Sequence, residues 1–162
     1  MPSPIPSTSI PAKEEWGGNV CVLTYDALDV DAITRSVGDD RAGATVTFIG
    51  TTRNSFRGKV VTRLEYQAYS KLAIRSMVEI VRNVTISDSA PSLISCAVHH
   101  RLGTVPVGEA SIVIAVSSPH RKEAFVACEQ ILEEVKQGTQ IWKREYYDGE
   151  DEERAEWKTN YS

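Results

Sequence analysis

The sequence is short of the residues that staple or metallate a small protein. Its 162 residues hold three cysteines and three histidines. Cys21, Cys96 and Cys128 form no Cys-x-x-Cys pair, and an odd count closes no disulfide framework. Cys21 and Cys96 fall in strand-like runs and Cys128 on an apolar helical stripe, which reads as core packing. A catalytic thiol needs an activating base nearby, and the local sequence supplies none. His99, His100 and His120 have no Cys or carboxylate at ligand spacing, so no metal is expected. Long apolar runs are missing too. The longest, Ile112–Val116, is strand-sized against the roughly 18 residues that cross a bilayer, so no membrane span is expected. The N-terminus carries Pro and Ser where a secretory signal would carry a basic patch and an apolar stretch, and the expectation is a cytosolic protein.

What is present is an ordinary globular composition, 41% apolar and 25% charged, in a length that suits one domain. The net charge of −4 is unevenly placed. Residues 148–162 hold six acids and two bases, and the sixteen acids and sixteen bases of residues 1–147 cancel. Within that neutral body the bases cluster at Arg53–Arg63, Arg101, Arg121–Lys122 and Lys136–Arg144. Local cationic clusters on a neutral body suit a small anion. A duplex binder would carry a larger basic excess, so nucleic acid is not expected as a partner.

Residues 1–18, with four prolines, three serines and a Gly-Gly, read as a disordered tail before a single domain over 19–162. Val20–Tyr25 reads as a strand. Asp29 or Asp31 caps a short helix running to Val37. The β-prone run Gly43–Thr51 and the alternating Val60–Ala68 read as a hairpin across the polar loop Arg53–Lys59. Ser70 caps a helix to Val84 with Ile74, Met77, Val78, Val81 and Val84 on one face. A turn over Ser87–Ser92, a strand over Leu93–Leu102, a tight connection over Gly103–Gly108 and a strand over Ala110–Ser117 follow. A third helix spans Ser118 to Gln137, with Ser118 as cap, Pro119 at the first helical position and Gly138 as stop. Thr139–Tyr147 is extended, an acidic turn follows, and Ala155–Tyr161 adds a short strand. Mixed strands and helices with hairpins indicate an α+β fold with a mainly antiparallel sheet.

Two places stand out, the first because it breaks a local rule. His120, Arg121 and Lys122 crowd the first turn of the third helix, where cations oppose the helix dipole. Either they swing into solvent or they surround an anion at the helix N-terminus. Lys143 lies in the extended run Ile141–Glu145 beside Trp142. Packing against apolar surface would strip solvent from its ammonium, lower its pKa and prepare it for proton transfer. His100–Arg101 ends a strand, where alternation lets only one of the two face a pocket and a hydrogen-bonded structural role is the ordinary reading. Two other bases have both an ordinary and a functional reading. Arg53 stands where a strand meets a loop, a common location for binding residues and for solvated arginines. Lys136 sits in the last turn of the third helix, where dipole complementation alone accounts for a lysine.

The ordered set GATVTFIGTTRN, ISCAVHHRLGTVPVGEASIVIAVSSPHR and the Lys-x6-Lys pair of KQGTQIWKRE resembles the large, catalytic subunits of molybdopterin synthases, from about Val20 to Asn160. The resemblance implies an α/β hammerhead-type fold with an additional small antiparallel sheet. It implies a sulfurtransferase of molybdenum cofactor biosynthesis that converts cyclic pyranopterin monophosphate (precursor Z) to molybdopterin. The sulfur donor would be the thiocarboxylated C-terminus of a small ubiquitin-like subunit, and two large subunits would dimerise to give a heterotetramer. No cofactor is expected. Carried over by motif, Lys136 and Lys143 stand at the family's catalytic lysines. Arg53, His120 and Arg121 stand at residues that hold the pterin and its phosphate, and Lys158 at a basic residue near the C-terminus. Gln140 replaces a proline common in relatives, and Thr51 a lysine found in some. A contrasting reading is a non-catalytic adaptor that binds a ubiquitin-like tail through the same basic groove.

Overall fold

The computed structural model describes residues 6–86 and 92–160. Ten strands and three α-helices occur among them: β1 Ala12–Trp16, β2 Asn19–Thr24, α1 Val30–Ser36, β3 Ala44–Thr51, β4 Ser55–Phe56, β5 Lys59–Ala68, α2 Ser70–Thr85, β6 Ser95–Arg101, β7 Gly103–Pro106, β8 Ala110–Ser118, α3 Arg121–Gly138, β9 Ile141–Tyr147 and β10 Trp157–Thr159. A short 3-10 turn, Glu152–Arg154, precedes β10.

One sheet has the order β1-β2-β6-β8-β3, antiparallel except for the parallel pair β2 and β6. The second runs β10-β9-β5-β4, with β7 also on β5, and is antiparallel throughout. Alternation of side chains along β6 and β8 divides the core. Cys96, Val98, Ile112, Ile114 and Val116 face α2 and α3, together with Met77, Val81 and Ile131. Ala97, Val113 and Ala115 face Ile33 and Val37 at α1. Tyr66, Ala68, Val105 and Ile141 carry the second sheet onto the α2–α3 side.

The α+β class and the extra antiparallel sheet agree with the sequence reading, but several local readings are corrected. β3 and β5 do not form a hairpin. β3 pairs with β8, β5 pairs with β9, and the two strands lie in different sheets. The disordered tail does not extend to residue 18: Ala12–Trp16 pairs with β2, and Ser9 is fully buried. The Ser9 hydroxyl accepts from the Ala68 N–H at 3.0 Å and from the Tyr25 hydroxyl at 2.9 Å. These bonds tie the segment before β1, an N-terminal strap, to β5 and to Tyr25 just after β2, and compensate for its weak periodicity. Ser70 is the first residue of α2, not its cap; its N–H donates to the Thr8 carbonyl and its hydroxyl accepts from the Ile10 N–H. Ser118 likewise belongs to β8, its hydroxyl donates to the His120 carbonyl, and α3 starts with His120 as N-cap. The connection over Gly103–Gly108 includes β7, since Gly103–Pro106 completes a ladder with β5. The turn read at Ser87–Ser92 lies, apart from Ser92, outside the described residues.

Candidate active site

A cavity of about 310 Å³ opens at the seam between the two sheets. β3, β6 and β8 contribute Gly50, His100 and Ile112 to its wall, and β5 contributes Val61, Leu64 and Tyr66. The cations enter from three directions. Lys136 comes from the last turn of α3, Lys143 from β9, and Arg53 from the loop after β3.

The seven-residue spacing of the lysines follows from how α3 ends. Val135 is buried on the core face, Lys136 follows it, and the helix stops at Gly138 with Thr139 as C-cap. Two residues later β9 begins, and its alternation places Lys143 and Glu145 on one face, into the cavity. Gln140 holds the corner: its carbonyl accepts from the Tyr69 N–H at 3.1 Å and its side-chain oxygen from the Ser76 hydroxyl at 2.9 Å. Contacts to α2 and its N-cap Tyr69 therefore fix the corner. Arg53 is placed by its neighbour. Thr52 is buried, its N–H donates to the Glu109 carbonyl, and its carbonyl accepts from the Gly108 N–H.

Lys143 has the environment expected of a tuned amine. Burial pushes its pKa below the ordinary 10.5, Glu145 pulls it partly back, and Lys136 and Lys158 push it down further. The Glu145 carboxylate, itself buried, lies 3.7 Å from the Lys143 ammonium and accepts from the Tyr147 hydroxyl. That bond and burial raise the Tyr147 phenol to about 12, with burial the larger cause. The thiols are unsuited to nucleophilic chemistry. Cys21, Cys96 and Cys128 are buried, and burial lifts them to about 12, 12 and 11.

Lys136, Lys143 and Arg53 therefore share one cavity. Lys158 is not among the residues lining it; it lies on β10, directly opposite Lys143 in the ladder, with its ammonium 5.9 Å from the ring centre of Phe56, which does line the cavity. His120 and Arg121 are elsewhere. They are exposed at the start of α3, and fifteen residues of helix put Arg121 about 22 Å from Lys136 along the axis. Within one chain the helix-start cations and the lysine pair do not meet.

Glu145, Asn160 and Phe56 line the wall without having been singled out from sequence as site residues, and of the pair His100–Arg101 it is His100 that lines it. The alternation Lys143-x-Glu145 was the available signal for Glu145. His100 is fully engaged. Its Nδ1 pairs with the Arg101 carbonyl at 2.8 Å and its Nε2 with the Asn160 amide at 3.2 Å, and its ring meets Tyr66 edge to face. Burial lowers its pKa to about 4, so it is a neutral imidazole tying the C-terminal segment to the wall. Asn160 is 60 residues away in sequence, and no local pattern announces that pairing.

The family model described as MoaE protein matches residues 23–138. The molybdopterin synthase catalytic subunit of Culex quinquefasciatus is 44% identical over 144 residues, covering 89% of this chain and 90% of that protein. The protein of the same name from Pyricularia oryzae is 45% identical over 150 residues, covering 91% and 81%. Among solved structures, molybdopterin synthase from Staphylococcus aureus superposes with a TM-score of 0.76 at 28% identity, covering 84% of this chain and 94% of that one. A complex of subunits 1 and 2 of molybdopterin-converting factor from Helicobacter pylori shares the fold, with a TM-score of 0.65 at 20% identity and coverage of 79% and 85%. With most of its length matched by the family model and by relatives at this identity, the chain belongs to the MoaE family.

Proposed function

We propose that the chain is the catalytic subunit of a molybdopterin synthase. In this reading it converts cyclic pyranopterin monophosphate to molybdopterin with sulfur from the thiocarboxylated C-terminus of a small ubiquitin-like subunit. The observation that carries the reading is the convergence of Lys136 and Lys143, from different elements, on one cavity with Arg53 at its rim. The substrate is a phosphate ester, and guanidinium and ammonium groups are the side chains that neutralise it. Transfer from a thiocarboxylate passes through a tetrahedral oxyanion and needs protons moved at oxygen and carbon. A partly desolvated lysine beside a second cation can hold the developing charge and exchange the proton. With all three thiols buried and protonated, a sulfur donor supplied by a partner fits the site. The complex of two subunits from Helicobacter pylori supports a small-subunit partner.

The placement of His120 and Arg121 supports a homodimer whose sites are shared. In that arrangement each copy supplies Lys136, Lys143 and Arg53 to one site and lends the start of its α3 to the phosphate end of the other. Lys158 serves the substrate from β10. The complete assembly is a heterotetramer with two small subunits. Among the described residues no helix is long and apolar enough to cross a membrane.

The test is reconstitution. The purified chain, a thiocarboxylated small subunit and cyclic pyranopterin monophosphate are mixed, and molybdopterin is measured. Product is expected. A stable complex of the two subunits without product would favour the adaptor reading.

A further inference from the structure

We propose that Phe56 is the wall on which the planar ring of the substrate stacks. The inference rests on the pterin reading above and adds a residue to it. Four aromatic side chains line the cavity: Phe48, Phe56, Tyr66 and His100. Tyr66 and His100 are buried and set against one another, with ring centres 4.9 Å apart. Phe48 packs on the α2–α3 core, and its ring edge closes on Gly50, 3.3 Å from where a Cβ would stand. Phe56 belongs to neither core cluster, yet it is half-buried and faces the cavity.

The hairpin that carries Phe56 is built to hold it there. β4 is two residues long, and Phe56 pairs with Lys59 across Arg57 and Gly58, whose φ angles are 50° and 79°. Positive φ at both positions suits a two-residue hairpin, and Arg is an unusual residue for the first of them. In that conformation the Arg57 guanidinium lies 5.0 Å from the Phe56 ring centre, and Lys158 reaches the same ring from β10. Next to the turn, Lys59 pairs with Glu150 at 2.8 Å. The acidic segment after β9 thus anchors the hairpin that carries Phe56. The ring lies outside both core clusters and shares the cavity wall with Arg53, and a stacked substrate ring takes the place of one of the two exposed cations over its face. A pterin presents a flat aminopyrimidinone at one end and the phosphate at the other, which matches an aromatic wall next to a cationic one.

The experiment measures binding and turnover separately on the full chain. Calorimetry with cyclic pyranopterin monophosphate compares wild type, Phe56→Leu and Phe56→Tyr, with thermal midpoints recorded for each. Phe56→Leu is expected to bind about tenfold more weakly or worse. Phe56→Tyr should stay within about threefold of wild type, because the ring face is kept. In the reconstituted complex, Phe56→Leu should raise KM with kcat nearly unchanged. Wild-type affinity in Phe56→Leu overturns the inference, as does equal weakening in Phe56→Tyr or weakening that tracks a lowered thermal midpoint. If wild type binds the pterin but makes no molybdopterin, the synthase reading fails while the Phe56 comparison still decides this one. If wild type does not bind the pterin, both fall.

Discussion

The Lys143 ammonium lies 3.7 Å from the Glu145 carboxylate, two residues along one strand and facing one cavity. The pair ties the charge of the amine to its neighbour. Burial and the cations Lys136 and Lys158 favour the neutral amine, and Glu145 favours the ammonium. Side-chain NMR of Lys143 should therefore show titration below 10.5. In Glu145→Gln it should titrate lower still, because the one upward pull is gone. An unchanged or higher pKa in that variant contradicts the assigned balance.

His99 and His100 make the fold sensitive to mild acid. Burial lowers both to about 4, against 6.5 in an exposed chain. As pH falls below 6.5 the unfolded chain binds protons that the folded chain refuses. The stability contributed by the neutral rings is thus full above 6.5 and lost as pH falls toward 4. Urea midpoints should drop between pH 7 and pH 5. His99→Gln should lose about half as much over that interval, since one of the two histidines is removed. A wild-type midpoint that is flat over the interval contradicts this.

Ser9 is the anchor of the N-terminal strap. Ser9→Ala removes the acceptor of the buried Ala68 N–H and should lower stability by about 1–2 kcal/mol in urea titration. A change within a few tenths of a kcal/mol would mean that the strap is held by something else.

The separation of Arg121 from Lys136 gives a test of shared sites. Lys136→Ala and Arg121→Ala chains, each nearly inactive alone, are refolded together. Random mixing makes half of the dimers mixed, and each mixed dimer has one intact site if Lys136 and Arg121 come from different copies. Activity should return to about a quarter of wild type. No recovery means that Arg121 and Lys136 do not act in one site shared between two copies.

Local chemistry was the legible part of this sequence. The apolar stripe of α3 and the β-prone Ala44–Thr51 both reappear in the structure, and so does the Lys136–Lys143 spacing that carries one amine from a helix end to a strand. What sequence could not give was partnership at long range. Val60–Ala68 alternates well as a strand, but nothing in it says that its partner is β9 and not β3. The strap was unreadable for a similar reason, because the hydroxyl of Ser9 replaces the periodic apolar contacts that make other segments visible. Asn160 and His100 meet only once the chain is folded, and Phe56 looked like part of a polar loop until its hairpin turned it into the cavity.

The most direct test of the central claim is molybdopterin formation by Lys136→Ala beside wild type. Both are mixed with the thiocarboxylated small subunit and cyclic pyranopterin monophosphate, and folding is checked by thermal midpoint. Wild type should form product, and the variant should keep its midpoint and lose about 100-fold or more in rate. Near-normal turnover by Lys136→Ala would contradict the assignment of the lysine pair as the catalytic centre.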